Sequence, residues 1–531
     1  MKRWVTGLVF LLLASGNLFA ETNWRAVEYF KLTGGLNDAS DETTLDKTEA
    51  SDLQNVTLTP FGGIAKREGF DNINTTTVGA SATATGLAFY KQSDGDRFLV
   101  GTFSNGGTDT IQKMDYGGGS AGPDLVFDDV TGSLSLSFAD DNLADFATAQ
   151  DFLIIEDGVG TTPPYILSGA ANIAFLLAGS PPNSTIVEFH KRHLWLAGLS
   201  TARSRVTFSN LDNVLTWTGT DTIEVETDDG QNITALKSAL DCLYAFKDAS
   251  IWRICGNHRD DFVLEQMVRG IGTLSNQSVV LINNQFVFFS QRGDIMVYDG
   301  GVKVETLSQN IEGTLEELNA NRFNKVVAVA FNGGVGGDDN YYLCLTNSGS
   351  STHDLLLEYD TYNKAWLKHD GINCNALTTY ELGTQQLALA FADYAGFVHR
   401  YPFGDTDNGA AIAAYYETGQ LALDIPQQKI FRLFQPIVRQ ETLGHELTFE
   451  YRIDFVGEGP QTDIELAGSG AQFDSAIYDT DEYADLSTTM ANIHVDQVGN
   501  FIKWRVENLN ASEPFLLRGV RLWYEPTSRA E

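Results

Sequence analysis

The sequence predicts an all-β protein. It consists of a β-propeller-like domain of five to seven blades, a polar N-terminal segment ahead of it and a C-terminal β-sandwich. Three observations predict this. Short runs of β-branched and aromatic residues, each closed by Asn, Asp or Gly, follow one another along most of the chain. Between Phe189 and Leu307 no helix-period stretch of more than about ten residues interrupts them. Units of strand, short turn, strand and a Tyr/Asp-Gly stop recur roughly every 40 to 60 residues, near the length of one blade. With 50 Gly and 32 Phe but only 12 Pro among 531 residues, the composition suits tight turns between aromatic-rich strands.

Residues 1–20, MKRWVTGLVFLLLASGNLFA, have the layout of a signal-like leader. Lys2 and Arg3 precede an apolar run from Trp4 to Leu13, and small residues lead to Ala20. The run is too short for a comfortable bilayer span, and no other segment is more apolar, so no stable membrane insertion is expected. Residues 21–80 are polar and loop-rich and read as a docking segment. Within it, Glu49 to Leu53 suits one helical turn capped by Thr48. Val56 to Leu58 suits a strand, and Phe61-Gly62-Gly63-Ile64 a turn into a second strand. Lys66 and Arg67 read as a solvated strand end rather than a ligand clamp.

Residues 81–410 carry the repeats. Asp94-Gly95 marks the first hairpin, between FYKQS and RFLVGT. Later units are centred on DFLIIEDG, HLWLAG, LYAFKDASIWRICG and NQFVFFSQRGDIMVYDGG. A sixth pairs VVAVAF with NYYLCL, then runs on through LLLEYD to QQLALAFADYAGFVHRYPFG. Leu315 to Leu318 predicts a short connecting helix. Residues 411–531 read as the sandwich, with Phe449, Tyr451, Ile453 and Phe455 alternating with Glu450, Arg452 and Asp454.

The chain carries 70 acids against 35 bases, a net charge of -35, which argues against gripping a phosphate backbone. Its four cysteines, Cys242, Cys255, Cys344 and Cys374, form no CxxC pair, so zinc is not expected. Cys242 and Cys255 each lie six residues from a predicted two-residue turn at Asp248-Ala249, which sets them opposite each other. Two free thiols are the favoured reading, with a cross-strand disulfide as the alternative.

No constellation for catalysis, cofactor or metal stands out, and none of the three is expected. His190 and His193, as HxxH on one strand, would point to opposite faces. Asp405-Thr406-Asp407-Asn408-Gly409 resembles the front of a calcium loop but lacks its distal Glu. Asp479, Asp481, Glu482 and Asp485 read as a solvated loop. Arg292-Gly293-Asp294 reads as a hairpin turn. Asn55, Asn74, Asn183, Asn232, Asn276 and Asn510 fit the N-x-[ST] sequon, which has meaning only in a eukaryotic secretory pathway.

Several motifs in order resemble a known family. Gly34-Gly35-Leu36, the acidic Glu49 to Leu53, Asn55, Gly62-Gly63, Lys66-Arg67 and Gly69-Phe70 are similar to the N-termini of tail hub, stabilisation and nozzle proteins of short-tailed bacteriophages. RHLWLAG, TFSNLDNVLTW, AFKDASIWRICG, RGIGTLSNQSVV and FFSQRGDIMVYDGG follow in the order those proteins show. The resemblance covers about residues 30 to 310. It implies a structural virion protein in a homo-oligomeric ring, usually six-fold, that extends the portal or adaptor, contacts other tail proteins, retains packaged DNA and lets it pass on ejection. The leader is foreign to that family and supports an alternative, a secreted or periplasmic propeller that binds a sugar or protein ligand.

Overall fold

A computed structural model describes residues 24–79, 82–116, 125–138, 142–168, 173–332, 339–382, 386–423, 427–439, 444–466 and 488–527. The leader, and the acidic run at Asp479 to Asp485, lie outside the described residues.

Among the described residues, seven four-stranded antiparallel sheets follow one another. The first is built from Thr83–Lys91, Arg97–Asn105, Thr108–Asp115 and Asp128–Asp129, and its hairpin turns at Asp94-Gly95 as expected. The second runs from Asp145 to Leu176, the third from Ile186 to Glu224 and the fourth from Ile233 to Arg269. The fifth runs from Val280 to Thr306 and the sixth from Val327 to His369. The seventh takes Ala376–Leu382, Gln386–Ala392 and Val398–Tyr401 from late in the chain, and its outer strand, Asp71–Asn72, from the beginning. The first strands of neighbouring sheets pack on one another, except that between the fourth and sixth sheets the 3-10 turn Asn276–Ser278 packs on Ile233–Ala239 and on Val327–Phe331, and Ala376–Leu382 packs on Thr83–Lys91, so the ring closes. These sheets are the blades of a seven-bladed propeller. Separate apolar clusters fill the gaps between blades: Leu99, Phe103, Tyr380 and Ala390 between the seventh and first, and Trp195, Phe208, Leu243 and Trp252 between the third and fourth.

The second domain is a sandwich of two sheets, seven-stranded and six-stranded among the described residues. Leu516–Pro526 and Lys429–Arg439 form the centre of one, and Ala414–Thr418, Ile502–Asn508 and Glu446–Ile453 the centre of the other. Trp504 lies between them against Tyr416 and Phe434, with ring centroids 5.7 and 5.8 Å away. The alternation over 449–453 is observed on the apolar side, where Phe449, Tyr451 and Ile453 are buried. Phe455 departs from it: the chain turns at Asp454 with positive φ, and the ring is exposed.

The N-terminal segment is not a unit of its own. Arg25–Tyr29, Val56–Leu58 and Ile64–Lys66 enter one sandwich sheet, Gly35–Leu36 and Glu49–Gln54 the other, and Asp71–Asn72 closes the propeller. The helical turn expected at Glu49 to Leu53 is corrected. Those residues are a strand, because Ala50, Asp52, Leu53 and Gln54 pair with Tyr415 to Thr418 and bury Ala50 and Leu53. Tertiary pairing outweighs the modest helix preference of Glu, Ala and Leu here. The short helix is found one turn early, at Glu312–Glu316, where the Asp38 carboxylate accepts from the backbone N–H groups of Gly313 and Thr314 at 2.9 and 2.8 Å.

The two domains share a core. Leu36, Leu53 and Phe434 of the sandwich belong to one continuous buried cluster with Phe289, Leu343, Leu357 and Trp366 of the fifth and sixth blades. Such a shared apolar interior packs the two domains against each other.

Both cysteine pairs are bonded. Cys242 and Cys255 face each other in the register the turn predicts, with Cα atoms 4.6 Å apart, and the expectation of free thiols is corrected. At that spacing a cross-strand pair of sulfurs is within bonding reach. Cys344 of the sixth blade is bonded to Cys374 at the entry to the seventh, a link that no spacing rule singles out.

Candidate binding site at the mouth of the propeller channel

The innermost strands all begin on one face of the ring, so the segments that lead into them gather round the axis there. Asn142 and Leu143 lead into the second blade, Asn232 into the fourth, Leu274 to Gln277 towards the fifth and Asn324-Lys325 into the sixth. They line a cavity of about 470 Å³. Asp145 and Gln277 also line a second cavity of about 260 Å³ that continues along the channel past Thr148, Lys237 and Thr378.

Hydrogen bonds bridge the mouth from blade to blade. Gln277 Nε2 donates to the Ala144 carbonyl, and Lys325 Nζ to Asn142 Oδ1 at 3.2 Å. Asn276 Oδ1 accepts from the Leu236 N–H at 3.2 Å. The His353 ring, buried behind this rim, bridges the Lys325 carbonyl (Nε2, 2.9 Å) and the Thr346 hydroxyl (Nδ1, 2.8 Å). Burial holds its pKa down at about 4, so the ring is neutral at physiological pH.

Three carboxyls cluster on the second and third blades. Asp145 and Glu156 are opposite each other across two strands of the second blade. The Asp145 carboxylate accepts from the Val187 N–H at 2.8 Å, and burial raises its pKa against the pull of Lys237. Glu156 is fully buried, accepts from the Ser184 hydroxyl at 2.5 Å, and its second oxygen has no partner. Burial first, with Asp157 and Asp145 nearby and the Ser184 hydrogen bond opposing, pushes its pKa well above the usual carboxylate range. Glu188 is raised to about 7 by burial, with Lys237 opposing and Asp145 adding to the shift. Glu188, on the first strand of the third blade, therefore changes charge near neutrality.

The residues that stood out in the sequence lie elsewhere. His190 and His193 are not on one strand. Lys191 and Arg192, both at positive φ, make a two-residue turn between them and set the two histidines opposite each other on adjacent strands. Each ring has its own partner, Ser238 Oγ at 2.8 Å for His190 and the Ser209 carbonyl at 2.5 Å for His193. Asp407 of the calcium-like loop has both oxygens engaged by Arg67. Lys66 and Arg67 are buried, which corrects the expectation of a solvated strand end. Lys66 Nζ donates to Asn508 Oδ1 and the Asn510 carbonyl, both at 2.7 Å. Burial lowers its pKa to about 8. Arg292-Gly293-Asp294 is a turn, as expected, within the loop closed by the Ser290 N–H on the Asp294 carbonyl.

Asn232 and Asn276 appear in the sequence only as sequon positions, yet both line the mouth. Glu188 and Lys237 are also missed. The available signal is a lone charge in the middle of an otherwise apolar inner strand, IVEFH and ITALKSA. Among the described residues, no group of three or more His, Cys, Asp and Glu is placed to hold a metal ion, and no helix is long and apolar enough to cross a membrane.

No family model and no curated protein matches the sequence. Solved structures similar to it include the WD40 domain of Toxoplasma gondii coronin, at 12% identity over 66% of this chain and 87% of that one, TM-score 0.38. The N-terminal domain of Nup159 is similar at 10% identity over 63% and 95%, TM-score 0.39. An exo-β-1,3-galactanase from Phanerochaete chrysosporium is similar at 7% identity over 86% and 100%, TM-score 0.28. Likeness at this level leaves open what the chain binds.

Proposed function

We propose that the chain is a structural subunit of a bacteriophage tail, a hub or nozzle protein whose copies ring the path of the DNA. One observation carries the reading: the residues of the tail-protein-like motif are the ones that join the two domains. Gly35 leaves no room for a Cβ beside the Trp366 carbonyl, 2.7 Å away. Asn55 donates to the Ala413 carbonyl at 2.8 Å and accepts from Arg67 Nε at 2.8 Å. Arg67 reaches Asp407, and Gly69 passes against the Thr406 backbone. A motif with these jobs belongs to a rigid two-domain building block, which suits a ring subunit that must hold against internal pressure. The same segment presents Phe61, 93% exposed at the tip of a tight turn, as a contact for a neighbouring copy or a portal or adaptor protein. The surplus of 35 acids over bases would let duplex DNA slide past without adhering.

Negative-stain imaging of the purified protein should show rings, six-fold by the resemblance. Antibody should label the tail of particles. Label confined to the capsid shell, or to no particle, would sink the proposal.

A second reading, a secreted or periplasmic binding protein, is favoured by the two disulfides, which persist in oxidising surroundings, together with the leader. N-terminal sequencing separates the two. A chain starting at Glu21 in the periplasm or medium supports the second reading, and a retained Met1 in particles the first.

A further inference from the structure

Lys66 and Asn508 meet where the two sheets of the sandwich close on each other. Lys66 ends the strand Ile64–Lys66 of one sheet, and Asn508 ends Ile502–Asn508 of the other. The two residues are 442 positions apart in the chain, and only 6% and 3% exposed. Lys66 Nζ lies 2.7 Å from Asn508 Oδ1. A C=O bond is about 1.2 Å long, so the amide carbon Cγ is within about 4 Å of Nζ, close to the range from which a held nucleophile attacks.

The Asn508 amide is oriented from both sides. Its oxygen takes the Lys66 amine and, at 3.3 Å, the Asn510 N–H. Its nitrogen donates to the Glu446 carbonyl at 2.6 Å and to Glu513 Oε2 at 3.1 Å. The reverse placement would set oxygen against oxygen on one side and donor against donor on the other. Glu513 is held in turn by Asn510 Nδ2 at 2.9 Å and the Glu446 N–H at 3.2 Å. Burial works to raise its pKa, but the hydrogen bonds from Asn510, Glu446 and Asn508 outweigh burial and keep it an ionised base. Burial brings the Lys66 pKa down to about 8 against the pull of Glu513, so part of the population carries a free amine lone pair near neutrality. The two acceptors of Nζ are the neutral Asn508 and Asn510 oxygens. The carboxylate of the cluster is bonded instead to the amide nitrogen, the atom that an attack on Cγ must expel.

We propose that Lys66 and Asn508 join in an intramolecular isopeptide bond, with Glu513 moving the protons. Lys66 Nζ, having lost one proton, gives its lone pair to Cγ. The C=O π pair moves onto Oδ1, where the Asn510 N–H receives the charge. Both nitrogens then sit on one carbon beside the Glu513 carboxylate, which takes a proton from Nζ and returns it to Nδ2. The Oδ1 pair re-forms the carbonyl, the Cγ–Nδ2 bond breaks, and Nδ2 leaves as ammonia past the exposed Asn510. One amine and one carboxamide become one secondary amide and one ammonia, with no co-reactant. The bond ties one sandwich sheet to the other and encloses the whole propeller in a covalent loop that reducing agents leave intact. The proposal stands on the sandwich alone and holds whether the chain works in a tail ring or as a secreted protein, so its failure leaves the particle imaging untouched.

The test is mass spectrometry of the full chain after incubation at about pH 8, the Lys66 pKa, followed by reduction and alkylation. The expected result is a chain lighter than its sequence by one ammonia. Tryptic peptides 48–67 and 506–518 should be recovered as one cross-linked species, uncut after Lys66. Lys66→Arg and Glu513→Gln should give full mass and separate peptides. The wild-type spectrum decides the bond without any variant, so a variant that fails to fold does not blur the answer. Full mass and free peptides in the wild type overturn the proposal. Ammonia loss with the peptides still separate would mark closure of Asn508 on its own backbone and overturns it as well. So does a link as complete in Glu513→Gln as in the wild type, because the protons would then move without the carboxylate.

Discussion

Arg67 and Asp407 form a bidentate ion pair, with guanidinium nitrogens 2.8 and 2.6 Å from the two carboxylate oxygens, at the place where the chain crosses between the sandwich and the propeller. The pair is almost dry, with 1% and 10% of the two side chains exposed. Arg67 also donates to Asn55 Oδ1 and to the Glu68 and Asp370 carbonyls, so every face of the fork is used. One side chain thereby links the first crossing, residues 67–72, to the return crossing after Tyr401 and to the end of the sixth blade.

Arg67→Met should therefore destabilise the fold by about 3–5 kcal/mol, because it leaves a buried Asp407 carboxylate without its counter-charge. Arg67→Lys should recover little, since one ammonium cannot reproduce the fork. The double variant Arg67→Met/Asp407→Leu should be more stable than Arg67→Met alone. Thermal unfolding of the three variants measures this. Equal stability of Arg67→Lys and wild type would show the fork to be irrelevant.

Glu188 sets a pH dependence whose sign follows from its raised pKa. In the unfolded chain the group titrates near 4.5, and in the folded protein at about 7, with burial as the main cause. Its stabilising contribution is complete below 4.5 and lost as pH rises through 7. The size is at most about 3 kcal/mol, from the linkage between pKa shift and stability. Glu188→Gln should remove that slope, so the variant gains on wild type between pH 5 and 8 in urea unfolding, as expected for about two pH units of linkage. His353 acts with the opposite sign. Its pKa is depressed to about 4, so its contribution is present above 6.5 and lost as pH falls towards 4.

Reduction should weaken the protein in two separable steps. The Cys242–Cys255 bond closes a loop of sequence separation 13, and the Cys344–Cys374 bond one of 30. Loop-closure entropy gives about 3 kcal/mol for the first and about 3.7 for the second. The Cys344→Ser/Cys374→Ser pair should show the larger loss of thermal stability, since it also frees the sixth blade from the entry to the seventh. Non-reducing peptide mapping checks the bonds directly. Four alkylatable thiols in protein from an oxidising compartment would refute them.

How much of this is legible in the sequence depends on how far apart the interacting residues lie. Blade hairpins are local: turn residues such as Asp94-Gly95 and Asp248-Ala249 fix the register, so Cys242 can be placed opposite Cys255 from spacing alone. The strand at Glu49–Gln54 is not local. Its partners Tyr415 to Thr418 lie near the other end of the chain, and its own residues favour a helix. The burial of Lys66 and Arg67 is hidden for the same reason, because Asn508 and Asp407 become neighbours only when the chain returns. The channel mouth is the extreme case. Asn142, Asn232, Asn276 and Lys325 come from four different blade entries, and no short motif contains two of them.

The glycines at the crossing offer the sharpest contrast between space and backbone freedom. A Cβ on Gly69 would lie 1.9 Å from the Thr406 carbonyl oxygen and 2.3 Å from its carbon, so the two crossing segments would have to separate. Their separation would strain the Gly69 N–H to Gly404 carbonyl and Phe403 N–H to Gly69 carbonyl bonds, both 2.7 Å, and the closing strand Asp71–Asn72 that follows. Gly409 has φ +88 but open space around it. Gly69→Ala should thus cost about 3 kcal/mol or more through forced backbone movement, and Gly409→Ala only about 1 kcal/mol through its left-handed conformation. Hydrogen exchange should report where the damage falls. In Gly69→Ala the amides of Val398–Tyr401, which pair with the closing strand, should lose protection first, whereas in Gly409→Ala they should not. If both variants loosen that blade equally, the close approach at Gly69 is not what holds the ring shut.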